Sequence, residues 1–334
     1  MLSDSARDIV VGVGPAWSAE AEVAGVNFLF RALDEAAALR LLWRLARFRV
    51  GTHAQLKPIR VRLPHGVRMS SYDHQTKAGN EGDLVKHPAL VAALRGLLTD
   101  HQGLFRYADA FAGRWDSDLS ASDGWRRGIG AFAARWHGEN PDIQRWRSLW
   151  TPESGALYPG STQIAQRILA AHGPYAIRAY ETVEAYAVDL RRGLGDAGVY
   201  ARAASAADWH GWQPDLLFLD PPGLRSPANP AYPTLDDLLM CASQVPNVLL
   251  WLPLFGDAAS GGPFSPPPDQ AVIPRLMSER QGLQARAVYW PGGGAFCGCL
   301  LAYRCAASAA ERLASAARAV VTIMGAGWRL VREP

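Results

Sequence analysis

The chain is poor in cysteine. Cys241, Cys297, Cys299 and Cys305 are its four thiols in 334 residues. So few in so long a chain do not make a disulfide framework, and a reducing cytoplasm is the expected compartment. No apolar run reaches the roughly 20 residues a membrane-spanning helix needs, so the chain reads as soluble. Met1–Asp8 lacks the basic start and apolar core of a secretory signal. There is no paired Cys-x-x-Cys and no helical His pair, so no metal site is expected. No Gly-x-Ser-x-Gly elbow supports a hydrolase. Val10–Gly14, a short apolar segment ending in Gly12-Val13-Gly14, lacks the fingerprint's third glycine and runs into Pro15, so it reads as a loop.

Charge is sparse as well. Charged residues make up 19% against 49% hydrophobic, with a formal net charge of +3. That balance allows a sizeable core and permits a polyanionic partner without demanding one. Acids are absent from one stretch. Arg40, Arg44, Arg47, Arg49, Lys57, Arg60, Arg62 and Arg68 follow one another with no Asp or Glu between them. Such a block either neutralises phosphates, as in RNA binding, or forms a solvated basic face.

What is present is an alternation of apolar runs and helical segments. Ser18 to about Phe48 is dense in alanine and leucine. Leu29, Ala32, Ala36, Leu39, Leu42 and Trp43 share a broad apolar face there, which predicts one or two helices. Gly51–Pro64 alternates Ile59, Val61 and Leu63 with Arg60 and Arg62, which suggests a short strand or arm. Residues 1–66 are therefore expected to form a mainly helical extension and 67–334 the main domain. Within the latter a helix is expected at Asp83–Leu98, with Asp83 as its cap. Strands are expected at Phe105–Phe111, Ala176–Glu181, Val199–Ala203, Leu216–Asp220 and Asn247–Leu254, and helices at Thr162–His172, Val183–Leu194, Leu235–Cys241 and Gln270–Gln281. Leu283–Trp290 and Ala295–Arg304, around Gly292-Gly293-Gly294, read as a hairpin. A tryptophan-rich helical insertion spans about 116–156, where Trp125, Trp136, Trp146 and Trp150 are read as the core of a small subdomain. Cys297 and Cys299 alternate within the last strand and read as small core residues. The expected fold is α/β: a doubly wound, Rossmann-like sheet of the methyltransferase variant, closed by a C-terminal antiparallel hairpin.

In such a sheet, ligands bind beyond the carboxyl ends of the strands, so the residues that end the apolar runs are the candidates. Asp109-Ala-Phe-Ala-Gly113 follows one strand; its glycine lets backbone approach a ligand and its acid can orient one. Glu181 ends the next, where a carboxylate can bond both hydroxyls of a ribose. Asp220-Pro221-Pro222 ends a third on a stiff turn, because neither proline can continue a strand. The Asp220 carboxylate and the Pro221 carbonyl can together accept both protons of an amine and expose its lone pair. Methyl transfer from a sulfonium then depends mainly on positioning. Tyr158-Pro-Gly-Ser161 opens a helix whose first N–H groups can hold a carboxylate.

Several segments carry a family resemblance. Ser71-Tyr72-Asp73-His74, Ala78-Gly-Asn-Glu-Gly-Asp-Leu-Val-Lys86-His87, Tyr158-Pro-Gly-Ser161, the Glu181 strand end, Asp220-Pro-Pro and Leu250-Trp-Leu-Pro253 resemble the RlmJ family in order and spacing. Those enzymes use S-adenosyl-L-methionine to methylate N6 of an adenine in large-subunit ribosomal RNA. The resemblance covers roughly residues 69–304. It implies a cofactor site made by Lys86, His87, Ser161 and Glu181 near the Asp109–Gly113 turn, with Phe111 in that turn. It implies Asp220 as the catalytic residue, with the Pro221 carbonyl beside it, and places Tyr72 and His74 in a segment that folds over the site. The chain departs from the family at Gly223, where the family has a base-stacking tyrosine. It departs again at Phe111, where the family has histidine, in its shortened Ala112-Gly113-Arg114 turn, and at Ala203-Ala204-Ser205, where the family has Ala-Asp-Gly. Asp208 lies a few residues beyond that last segment. The expected activity is RNA adenine-N6 methylation. The alternatives are an amine on a small molecule or peptide, and a non-catalytic homologue that binds the cofactor or acts as a scaffold.

Overall fold

A computed structural model of the chain describes residues 9–11, 17–23, 26–32, 77–122, 124–150, 157–225, 230–255, 282–291 and 296–332. The chain divides into two units, Met1–Ser71 and Tyr72–Pro334.

In the first unit the described residues are strands: β1 (Ile9–Val11), β2 (Trp17–Val23) and β3 (Val26–Ala32). β3 pairs antiparallel with β2 from Val23 opposite Val26 to Trp17 opposite Ala32, and parallel with β1. Over residues 18–23 and 26–32 this corrects the helix expected from Ser18 to about Phe48, whose remainder lies outside the described residues, and at Val10 and Val11 it corrects the loop expected over Val10–Gly14. The reason is visible in the sequence. Trp17, Ala19, Ala21 and Val23 alternate with Ser18, Glu20 and Glu22, and Val26, Phe28, Phe30 and Ala32 alternate in the same way. A period of two outweighs the helix propensity of alanine and glutamate. The Arg40–Arg68 block and the arm at Gly51–Pro64 lie outside the described residues.

The second unit opens with helix α1 (Glu81–Leu98). Its cap is Asn80, not Asp83: Asn80 Oδ1 accepts the N–H groups of Gly82 and Asp83 at 2.8 and 3.2 Å. There follow β4 (Phe105–Asp109), β5 (Asp116–Asp118), α2 (Ala131–Arg135), α3 (Pro141–Arg147), β6 (Leu157–Pro159), α4 (Ser161–Ala170), β7 (Tyr175–Tyr180), α5 (Glu184–Leu194), β8 (Val199–Tyr200) and β9 (Leu216–Leu219). The chain continues through α6 (Leu235–Ala242), β10 (Val248–Phe255), β11 (Gln284–Tyr289), β12 (Phe296–Arg304), α7 (Ala307–Met324) and β13 (Arg329–Arg332). The helix expected at Gln270–Gln281 and the Gly292–Gly294 turn lie outside the described residues.

Eight strands form one sheet in the order β13-β11-β12-β10-β9-β4-β7-β8. β8, β7, β4, β9 and β10 run parallel, and β12 lies antiparallel between β10 and β11. This is a Rossmann-like α/β sheet with the expected antiparallel hairpin at its end. From β4 the chain winds outward through β7 to β8, then returns to β9 on the other side of β4. The topological switch point therefore lies between β4 and β9.

Burial follows the pleat. On β9, Leu216 and Phe218 enter the core that holds α1, α4 and α7, while Leu217 and Leu219 enter the core that holds α6. The insertion is closed by the β5–β6 ribbon, in which Ser117 pairs with Tyr158. Trp146 and Trp150 are buried, and Trp125 and Trp136 pack against the same core, which is the main core shared with α1, β9 and α7 rather than a separate core of the insertion. Cys299 is fully buried and Cys297 partly so. No described helix is long and apolar enough to cross a membrane.

Candidate active site at the switch point

Three parallel strands stop at acids. Asp109 is the last residue of β4, Glu181 follows β7 and Asp220 follows β9. β4 ends there because Ala110 N–H turns to the Phe218 carbonyl and Ala112 N–H to the Tyr180 carbonyl, which wraps the chain over both neighbouring strands. The strand therefore stops two residues short of the end expected at Phe111. Phe111 itself packs against the α6-side core rather than projecting alone.

Each acid is differently held. Asp109 is fully buried. Its Oδ2 accepts hydroxyl protons from Ser161 at 2.7 Å, Thr162 at 3.0 Å and Tyr107 at 3.2 Å. Burial raises its pKa in spite of these donors, and raises that of Tyr107 well above the ordinary phenol. Glu181 is braced by backbone: Oε2 accepts the Gly113 N–H at 2.9 Å and Oε1 the Val183 N–H at 2.7 Å. Gly113 reaches this position with φ +64°, which side-chain-bearing residues rarely adopt. Burial raises the Glu181 pKa as well.

Asp220 is paired with Lys86, which comes from α1. The Lys86 Nζ donates to Asp220 Oδ2 at 2.6 Å and lies 2.8 Å from Asp83 Oδ1. It also sits over the Trp251 ring, 5.2 Å from its centroid. Lys86 as a whole is 3% exposed. Burial pushes the Asp220 carboxyl up to about 7. Lys86 pulls it down, and the nearby charges of Asp83 and Asp109 push it up. Asp83, read from the sequence as a helix cap, is therefore a member of the site. Its Oδ2 accepts the Gly79 N–H at 2.7 Å, which fixes the start of α1 and aims the other oxygen at Lys86.

His87 is almost fully buried. Its Nδ1 lies 2.6 Å from the Tyr158 hydroxyl, and the two rings stack with centroids 5.3 Å apart. Tyr158 pairs with Ser117 on the ribbon of the insertion, so this contact ties α1 to the insertion. Ser161 opens α4, whose cap residue Gly160 offers no side chain to the first N–H groups. Pro221 is buried next to Asp220. Tyr72 and His74 lie outside the described residues. Asp208 is fully committed elsewhere. Arg202 pairs with it through both guanidinium nitrogens, Ser205 donates N–H and hydroxyl to it, and its pKa is held down to about 2.

The structure thus brings Lys86, Asp220 and Asp83 together, joins Ser161 to Asp109, and joins Gly113 to Glu181. Thr162, Tyr107 and Trp251 belong to these groups and do not stand out as site residues in the sequence. Thr162 and Trp251 lie inside or beside recognisable motifs, so adjacency is their only signal.

No protein-family model and no curated protein matches the chain. Among solved structures it is similar to a crystal structure of protein LPL1258 from Legionella pneumophila str. Philadelphia 1, of family model DUF519. The TM-score is 0.58 at 18% identity, over 77% of this chain and 98% of that one. At that identity the likeness concerns the fold, and function has to be argued from the site.

Proposed function

We propose that the chain is an S-adenosylmethionine-dependent N-methyltransferase of RlmJ-like type, with adenine N6 in RNA as its leading acceptor. The observation that carries this reading is Asp220. It is an acid on a Pro-Pro turn, at the carboxyl end of β9 and beside the switch point, paired with a buried lysine and close in charge to two further carboxylates. The inserted antiparallel β12 is the closure expected of the methyltransferase variant of this sheet, and supports the same reading.

The residues present suit the cofactor. Glu181 keeps lone pairs for two ribose hydroxyls while backbone fixes its direction. The uncapped N–H groups of α4, at Ser161 and Thr162, suit a carboxylate. Asp83, Asp109 and Asp220 outnumber the Lys86 ammonium, and acidic surroundings favour a cationic sulfonium and ammonium. When bound, S-adenosylmethionine supplies an electrophilic methyl group. The protein's part is to hold the acceptor amine: ionised Asp220 accepts one of its protons and the Pro221 carbonyl the other. That exposes the nitrogen lone pair without a strong base.

Gly223 favours a second reading, in which the acceptor amine belongs to a small molecule or peptide, because no aromatic side chain follows the Pro-Pro step. Incubation with labelled S-adenosylmethionine and deproteinised ribosomal RNA separates the two. Labelled N6-methyladenine that disappears in Asp220→Ala is the expected result. Calorimetric failure of wild type to bind S-adenosylmethionine would sink both readings.

A further inference from the structure

Beyond Asp220, Arg225 lies against Tyr232 and Pro233. Arg225 N–H donates to the Pro233 carbonyl at 2.8 Å, and its Nε donates to the Tyr232 carbonyl at 3.0 Å. The Arg225 guanidinium also lies 3.7 Å from Asp237, in the first turn of α6. These contacts fold Tyr232 and Pro233 back onto the segment that carries the Pro-Pro step. The result is a specific fit: a Cβ added to Gly223 would lie 3.3 Å from both Cδ2 and Cε2 of Tyr232. The Tyr232 ring therefore covers the space a side chain at 223 would fill. It is only half-buried, although burial is enough to raise its phenol pKa.

We infer that Tyr232 is the platform on which the acceptor adenine stacks, a positioning residue that determines specificity for a flat base. This rests on the proposed methyl-transfer reading and deepens it. An amine held between Asp220 and the Pro221 carbonyl belongs to a ring that must extend away from the Pro-Pro turn. The aromatic side chain packed on the residue after that turn is Tyr232. Aromatic stacking is how single-stranded bases are held when their edges are engaged elsewhere. Gly223 leaves that ring its place, since a side chain at 223 would require the ring to give by a few tenths of an ångström. Arg225 sets the platform by pinning the backbone on which Tyr232 stands.

The test measures binding of a short single-stranded oligoadenylate RNA, with S-adenosylhomocysteine present, to full-length wild type, Tyr232→Phe, Tyr232→Leu and Tyr232→Ala. Phe keeps the ring and is expected to bind as wild type does. Leu keeps bulk without a flat face; it and Ala are expected to weaken binding by about 5- to 150-fold, with unchanged affinity for S-adenosylmethionine and unchanged circular dichroism. In the methylation assay the RNA KM rises in the Leu variant by more than kcat falls. Wild-type oligoadenylate affinity in the Leu and Ala variants overturns the platform and leaves the methyltransferase reading standing. A wild type with no oligoadenylate affinity also overturns it. Methyl transfer to a small amine would show that the enzyme reading survives that outcome.

Discussion

Asp220 and Lys86 form a buried pair, and in the proposed methyl transfer its protonation decides how well the acceptor amine is held. The ionised carboxylate is the stronger acceptor for an amine N–H, and its pKa is pushed up to about 7. The rate of methyl transfer is therefore expected to rise with pH through about 7. Lys86 is among the influences that lower this pKa, so its removal raises it further. In Lys86→Met the rising limb of the kcat/KM profile is expected to shift to higher pH. A limb unmoved in Lys86→Met would show that Asp220 does not set it. The variant also takes away the cation that Asp83 and Asp220 share, so a lower Tm should accompany the shift. At this scale the sequence exposes Asp109, Glu181 and Asp220, because each ends an apolar run and so must lie at a strand's carboxyl end. It hides Asp83, since an acid at a helix start has an ordinary explanation as a cap. The pairing of Asp83 with Lys86 on the next turn is visible there only as spacing. The sequence also leaves Asp208 open; the structure shows that acid tied to Arg202 and Ser205.

Between elements, α1 packs closely on α7. A Cβ built on Gly96 of α1 would lie 2.4 Å from the Ala309 Cα of α7, too close for either backbone to tolerate. Gly96→Ala is expected to force the helices apart and lower stability by about 1–3 kcal/mol, although alanine would by itself favour an exposed helix by about 1 kcal/mol. Chemical denaturation checks this; a stabilised variant would show that the helices approach less closely. Lys86 and Asp83 ride on α1, so the variant should also weaken S-adenosylmethionine binding. Helix α7 is absent from the expected elements, yet Leu313, Ala316, Ala317, Val320 and Met324 are buried at helical spacing, and that spacing is written in the sequence. The strands β2 and β3 escape a compositional reading for the opposite reason. Composition favours helix there, and only the period of the pattern, not the residue types, distinguishes the two.

For the whole molecule, what is legible is the winding of the sheet, because strand and helix alternate along the sequence and right-handed crossovers leave few arrangements. What is not legible is the first unit, whose pairing depends on register between strands. Among the described residues, the eight-stranded sheet and its two large cores are built from residue 78 onward. A fragment of residues 72–334 is therefore expected to fold cooperatively and to bind S-adenosylmethionine as the full chain does, measured by thermal denaturation and calorimetry. The same fragment lacks the acid-free Arg40–Arg68 block. If that block neutralises RNA phosphates, the full chain's affinity for ribosomal RNA falls more steeply with salt than the fragment's. The log–log slopes then differ by about 0.7 for each single-strand phosphate that the block neutralises. Equal slopes would assign the block to a solvated face and leave RNA recognition to the Tyr232 and Asp220 end of the sheet. A steeper slope in the full chain, with base stacking still dependent on Tyr232, would divide the work between the units: charge from the first for affinity, and the strand-end site of the second for the choice of amine.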